Sequence, residues 1–286
     1  MYQDLLVTLQ NSFDSLSKSQ KAIASYLINN YDKAAYMTAS KLAQETGVSE
    51  STVVRFATEM GFDGYPALAS YLQVTVYSRM TAAQRLRLTN HLIGEGDVLE
   101  KILAADIESL NNTLANMDRK VFAGAVDAIC SAKTIFVIGV RNAAPLASGF
   151  SYSMGQVFDN VRNISTTNND EVFEKLVRIR ENDVLVAFSF PRYSKRVIRT
   201  LDFAKKHKAT VVSITDSLYS PLVPLSDFCL MANSSMSSMC SSLVTPMYVI
   251  NALLTAIGKK QETMVLEKLE ELEALWKSNS VYESIT

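Results

Sequence analysis

Residues 38–62 read TASKLAQETGVSESTVVRFATEMGF, two short helical stretches joined by Gly47-Val48-Ser49. Thr38 is placed to cap the first stretch, in which Lys41 stands at the third position. Gly47 is placed to end it, because glycine tolerates the left-handed backbone that stops a helix. Ala39, Leu42 and Ala43 on one side, and Val48, Val53 and Val54 on the other, supply small apolar faces on which two helices can cross. That spacing predicts a helix-turn-helix, whose second helix enters the major groove with its N-terminal residues leading. Ser49, Glu50, Ser51, Thr52 and Arg55 are expected to project outward there. Hydroxyls bond phosphates or base edges, and Arg can take guanine O6 and N7 together. Lys41, Ser49, Ser51, Thr52 and Arg55 are the candidate DNA contacts.

The rest of residues 1–77 has the same helical character. Ser17 is placed to cap KSQKAIASYLINNY, where Ile23, Tyr26, Leu27 and Tyr31 recur at helical spacing. After Phe62-Asp63-Gly64-Tyr65, Pro66 is expected to open one more helix, PALASYLQVTVYSRM. An ordinary helical bundle is the competing reading, and charge supports it. Lys18, Lys21, Lys33, Lys41 and Arg55 face seven acidic residues in this block, a balance of −2. So little positive charge releases few counterions, so specific binding would need a second copy on the DNA.

The chain has 286 residues, which suggests about two domains. Its 48% hydrophobic content allows real cores, and its net charge of −1 excludes a polybasic coat or an acidic tail. The opening MYQDLLVTLQNSFDS has neither a basic nor an apolar leader region, so no secretory signal is expected. Cys130, Cys229 and Cys240 are scattered, odd in number and without metal-ligand spacing. They read as small buried hydrophobes in a reducing, cytoplasmic setting, and no metal or cofactor is expected. Residues 228–258 carry no charge, but Pro246, Asn251 and serines interrupt them. A buried helix behind a serine-rich loop is expected rather than a membrane span, which needs about 20 apolar residues.

Residues 78–105 read as a linker and the start of a connecting helix, and the pattern changes after Val121. Helical stretches then alternate with short apolar runs: TIFVIGV, NVRNIS, DVLVAFSF, TVVSITD and DFCLMA. Such alternation predicts a doubly wound parallel α/β sheet over 106–286, beside the all-helical block. In sheets of this kind ligands bind beyond the carboxyl ends of strands, where a loop feeds a helix. Two loops there are rich in polar groups: Gly139-Val140-Arg141-Asn142-Ala143, and Ser189-Phe190-Pro191-Arg192-Tyr193-Ser194. Hydroxyls, backbone N–H groups and one Arg per loop suit an anion. Solvated arginines and helix-capping serines are the alternative. Gly139, Arg141, Asn142, Ser189, Arg192, Tyr193 and Ser194 are the candidate ligand residues.

Two resemblances sharpen these expectations. From Leu16 through GVSESTVVRF to the exit GFDGYPAL, residues 1–77 resemble the N-terminal domain of the RpiR/MurR bacterial transcription regulators. Residues 121–260 resemble a sugar isomerase (SIS) domain, which in RpiR-type regulators binds phosphosugars or related acids. The SIS phosphate loop usually reads Ser-x-Ser-Gly-x-Thr. Here the outer hydroxyls stand at Ser189 and Ser194, while Pro191-Arg192 replace the inner pair. The first loop usually reads Gly-x-Gly-x-Ser, and only Gly139 remains. Arg in place of Gly is expected to remove a close backbone approach and to add guanidinium forks that suit carboxylates as well as phosphates. The resemblance implies a cytoplasmic regulator that binds an operator with an inverted repeat, as a homodimer or dimer of dimers, and responds to an anionic effector. A sugar-phosphate isomerase-like enzyme with an appended helical domain is the rival, and a helical adaptor without DNA affinity a third reading. Isomerisation needs a positioned base. His91 and His207 lie in the linker and at a solvated helix end, and Asp170 and Glu171 read as helix N-terminal charges, so no catalytic residue is expected. The last helix, ETMVLEKLEELEALW, carries Met264, Leu266, Leu269, Leu272, Leu275 and Trp276 on a face that packs on its own sheet or on a partner.

Overall fold

The computed structural model describes residues 5–165, 169–233 and 241–283. The chain forms two compact units, Met1–Gln84 and Arg85–Thr286. The first contains α1 (Leu5–Ser12), α2 (Lys18–Ala34), α3 (Ala39–Thr46), α4 (Glu50–Glu59) and α5 (Gly64–Arg79), and no strand among its described residues. Local chemistry sets these boundaries. Ser17 forms a capping box with Gln20 at the start of α2, and Thr38 accepts from the Lys41 N–H at 3.2 Å to start α3. Gly47, at φ 68°, ends α3 in the left-handed region. Leu9, Ile23, Leu27, Leu42, Phe56, Leu68 and Leu72 form a fully or almost fully buried core. Helix α5 begins at Gly64, two residues before Pro66. Proline fits there because no first-turn N–H needs an intrahelical acceptor.

The unit boundary falls within α6 (Ala82–Ile93), and α6 and the first turns of α7 (Val98–Asn116) occupy residues 78–105. The second unit continues through α8 (Arg119–Ser131), β1 (Ile135–Gly139), α9 (Ala144–Gly155), β2 (Val161–Asn163) and α10 (Asn169–Leu176). It then runs through β3 (Val184–Phe188), α11 (Lys195–Lys206), β4 (Thr210–Thr215), β5 (Phe228–Met231), α12 (Val244–Lys260) and α13 (Glu262–Ser278). The five strands are all parallel in the order β2-β1-β3-β4-β5. Every residue of β1 and β3 is buried, because helices cover both faces. Ile135 and Val137 point into a layer with α8, α9 and α12, while Phe136 and Ile138 point into the layer with α10 and α11. The expected fold class is the one observed: an all-helical N-terminal region and a five-stranded parallel α/β domain.

Helix α12 is the buried helix expected from the charge-free stretch, with Val249, Ile250 and Leu253 in the core. Among the described residues no helix is long and apolar enough to cross a membrane. Cys130 and Cys229 are free thiols, half-buried rather than fully buried, and Cys240 lies outside the described residues. Two helices leave apolar side chains exposed. Helix α7 buries Asp106, Ser109 and Thr113 and exposes Leu99 (81%), Leu103 (61%), Ile107 and Leu114. Helix α13 has no buried residue at all, with Leu266 and Leu275 more than half exposed.

Candidate functional site

In the first unit, α4 is set by its own cap. Ser49 accepts from the Thr52 N–H at 3.2 Å, and its Oγ lies 2.9 Å from Ser51 Oγ and 2.7 Å from Thr52 Oγ1. The three hydroxyls thus gather at the N-terminus of α4. Val53, Phe56 and Ala57 turn inward. At 100° per residue this leaves Ser51, Val54, Arg55 and Thr58 on the opposite face. Val54, expected on the packing face, is instead 40% exposed. Its position relative to Phe56 and Ala57 carries the signal that the sequence reading missed, and an exposed apolar side chain there can meet a thymine methyl. Lys41, on α3, is paired with Glu45 at 3.0 Å and with Gln44 at 3.1 Å.

The GF-x-GY exit has a physical reason. Gly61 (φ 87°) and Gly64 (φ 76°) take left-handed conformations on either side of Phe62, which is buried against Tyr71. Tyr65 then donates from Oη to the Met37 carbonyl at 2.8 Å, one residue before the cap of α3. Burial pushes its hydroxyl up to about 12, so it stays a donor. The start of α5 is thereby pinned to the start of α3, which fixes the helix pair.

In the second unit, the two polar loops leave the carboxyl ends of β1 and β3, the neighbours at which the strand order reverses. Gly139 is required here: a Cβ would lie 2.4 Å from the Ala143 carbonyl oxygen. Arg141 stands at φ 57° and Arg192 at φ 64°. Both arginines thus occupy the left-handed region that favours glycine, so the glycine-type backbone persists at these positions although each now carries a side chain. Each side chain is exposed, and each conformation costs on the order of 1–2 kcal/mol, a kind of strain that clusters at ligand sites.

A cavity of about 1010 Å³ opens between these loops and α10, and Gly139, Arg141 and Ser194 line it. Asn142 turns away and donates to the Ser241 carbonyl at 3.3 Å. Ser189 is buried, and its carbonyl accepts from Thr215 at 2.8 Å. Tyr193 bonds Asp216 at 2.9 Å, and Arg192 lies outside the cavity lining. Helix α11 adds Lys195, Arg196 and Arg199 to the lining, and α10 adds Glu171. Asp170's side chain lies outside the described residues. Ser194 makes no side-chain cap bond to α11, whose first turn carries two cations and no acid. Cations at a helix N-terminus oppose the macrodipole, and an anion there would satisfy both. This conflict is the sequence signal that identifies Lys195 and Arg196.

A helix-turn-helix unit joined to a doubly wound α/β domain defines a DNA-binding transcriptional regulator. A model of the rpiR-family helix-turn-helix domain matches residues 3–78, and a SIS domain model matches 128–256. The chain belongs to the RpiR family of helix-turn-helix transcriptional regulators, and binds DNA through its N-terminal domain. It is 25% identical over 272 residues to an HTH-type transcriptional regulator of Clostridium perfringens, covering 92% of this chain and 95% of that one. It is also 25% identical over 234 residues to HexR of Pseudomonas aeruginosa, covering 80% and 78%. Among solved structures, Vibrio vulnificus NanR in complex with ManNAc-6P shares the fold. Its TM-score is 0.58 at 23% identity, with 96% of this chain and 98% of that chain covered. The sugar isomerase domain of an RpiR transcription factor from Sphaerobacter thermophilus also has a TM-score of 0.58. It is 25% identical, with 61% and 97% covered.

Proposed function

We propose that this regulator reads its operator with the exposed face of α4 and that an anionic sugar derivative, bound at the β1/β3 switch point, alters its grip on DNA. Ser49, Ser51, Thr52 and Arg55, with Lys41 on α3, are the proposed DNA contacts, and Val54 joins them. The carrying observation for the effector is the first turn of α11, where Lys195 and Arg196 face a cavity at the positive end of a helix. Arg141 and the uncommitted Ser194 cap complete an anion cradle, with Gly139 giving the backbone room. Asn142, Ser189, Arg192 and Tyr193 support the two loops from outside the cavity lining.

A phosphosugar is the favoured class, since NanR was solved with one. A carboxylated derivative suits the guanidinium forks equally. The isomerase reading has one observation behind it, the Glu171 carboxylate in the cavity lining. The regulator relatives favour binding without turnover. The protein acts in the cytoplasm, with its DNA. Exposed leucines on α7 and α13 support a homodimer or dimer of dimers, and two-fold symmetry in turn calls for an inverted repeat. A thermal-shift panel of sugar phosphates and sugar acids tests the effector reading. At least one should stabilise the wild-type chain, and Lys195→Glu should abolish that shift. Equal shifts in both would move the effector away from α11.

A further inference from the structure

A polar link, buried at Thr215 and part-buried at Tyr193, joins the β3–α11 loop to the end of β4, and neither Tyr193 nor Asp216 lines the cavity. Thr215 Oγ1 donates to the Ser189 carbonyl and lies 2.8 Å from Ser220 Oγ. Four residues on, Tyr193 Oη donates to Asp216 Oδ1 at 2.9 Å. The loop is therefore fastened on both sides of Arg192, the residue held in the unfavourable left-handed conformation. The acceptor chosen is notable for its charge. An amide oxygen at position 216 would take the same Tyr193 bond without the penalty of burying a carboxylate. A carboxylate, however, makes a hydrogen bond roughly twice as strong.

We propose that Asp216 is a positioning residue of the anionic-effector site inferred above: its carboxylate, by holding Tyr193, fixes Ser189–Ser194 in the conformation that binds the anion. The titratable groups facing it are Tyr193 from the β3–α11 loop and Cys229 from β5. Burial raises both, the thiol to about 12, so both stay neutral through the physiological range. Burial also lifts Asp216, from 3.8 to about 6, against the opposing hydrogen bond of Tyr193. As pH falls through that value the carboxyl gains a proton, Tyr193 loses its charged acceptor, and the loop loosens.

Sulfate keeps its two charges throughout this range, which makes it the probe. Equilibrium dialysis of labelled sulfate with the full-length chain should show one saturable site. Wild type should bind about tenfold more tightly than Asp216→Asn near pH 7.5, a ratio equivalent to about 1.4 kcal/mol. The ratio should fall to about one near pH 5, where both side chains are neutral. Tyr193→Phe should show the same loss, and the double variant no more than either single one. Circular dichroism and a cooperative melt verify folding of each. Equal affinities at both pH values, an unchanging ratio, or wild-type affinity in Tyr193→Phe would overturn the positioning role. Absence of saturable sulfate binding by the wild type would instead overturn the anion site, and the role with it.

Discussion

Arg55 and Asp216 show what single side chains contribute in each unit. Arg55 is the one cation of α4 and is exposed on the same face as Ser51 and Val54. Replacing it with Ala should weaken operator binding by on the order of 1–3 kcal/mol, measured by fluorescence anisotropy, while the melting temperature stays near wild type. An unchanged affinity would remove α4 from the interface. Asp216 makes the opposite kind of contribution to stability. Its folded value, about 6, stands above the unfolded 3.8, so the fold favours the protonated carboxyl. The stability this provides is full below the unfolded value and is lost as pH rises through about 6. Asp216→Asn should therefore raise stability near pH 7.5 by on the order of 1–3 kcal/mol, with the gain shrinking toward pH 5. Denaturation across that series checks the sign. A variant less stable at high pH would mean that the Tyr193 bond outweighs the burial of charge.

At the scale of elements, caps and turns were legible because their chemistry is local. Ser17, Thr38 and Gly47 each do in the structure what their residue type and position predict, and Ser49 of the turn adds a cap to α4. Faces were less legible, since they depend on what packs against them. Val54 reads as core from its residue type, yet Phe56 and Ala57 take the core and turn it outward. Helix α7 hides Thr113 because its hydroxyl accepts from the Asn233 N–H at 2.9 Å, a partner 120 residues away. The left-handed arginines were illegible for another reason, because only glycine advertises that backbone in sequence. Helix α11 supports a prediction with two opposing signs. Lys195→Glu places an acid at a helix N-terminus and should stabilise the unliganded chain by about 0.3–1 kcal/mol at low salt. The same change should abolish effector-induced stabilisation. Both are read from one thermal-shift series, and a variant that loses stability without ligand would contradict the dipole argument.

For the whole molecule, the charge balance of the first unit and the apolar surface of the second point the same way. Residues 1–77, with a net charge of −2, gain little from counterion release, so the proposed grip on an operator calls for a symmetric second copy. Leu99, Leu103, Ile107 and Leu114 on α7 form an exposed stripe at near-heptad spacing, the sort of surface a second chain would cover. Leu103→Glu should shift the chain toward monomer in light scattering at micromolar concentration and weaken operator binding in parallel. A fully dimeric variant would place the contact elsewhere, with α13 the next surface to alter. The central claim, that an anion at the sensor's switch point changes DNA binding, is tested most directly by anisotropy on an inverted-repeat operator. The wild-type chain would be titrated with and without a panel of sugar phosphates and sugar acids. The account predicts that at least one changes operator affinity by about tenfold or more, and that Lys195→Glu loses this response. Operator affinity unmoved by every anion, or equal to affinity for unrelated DNA, would contradict it.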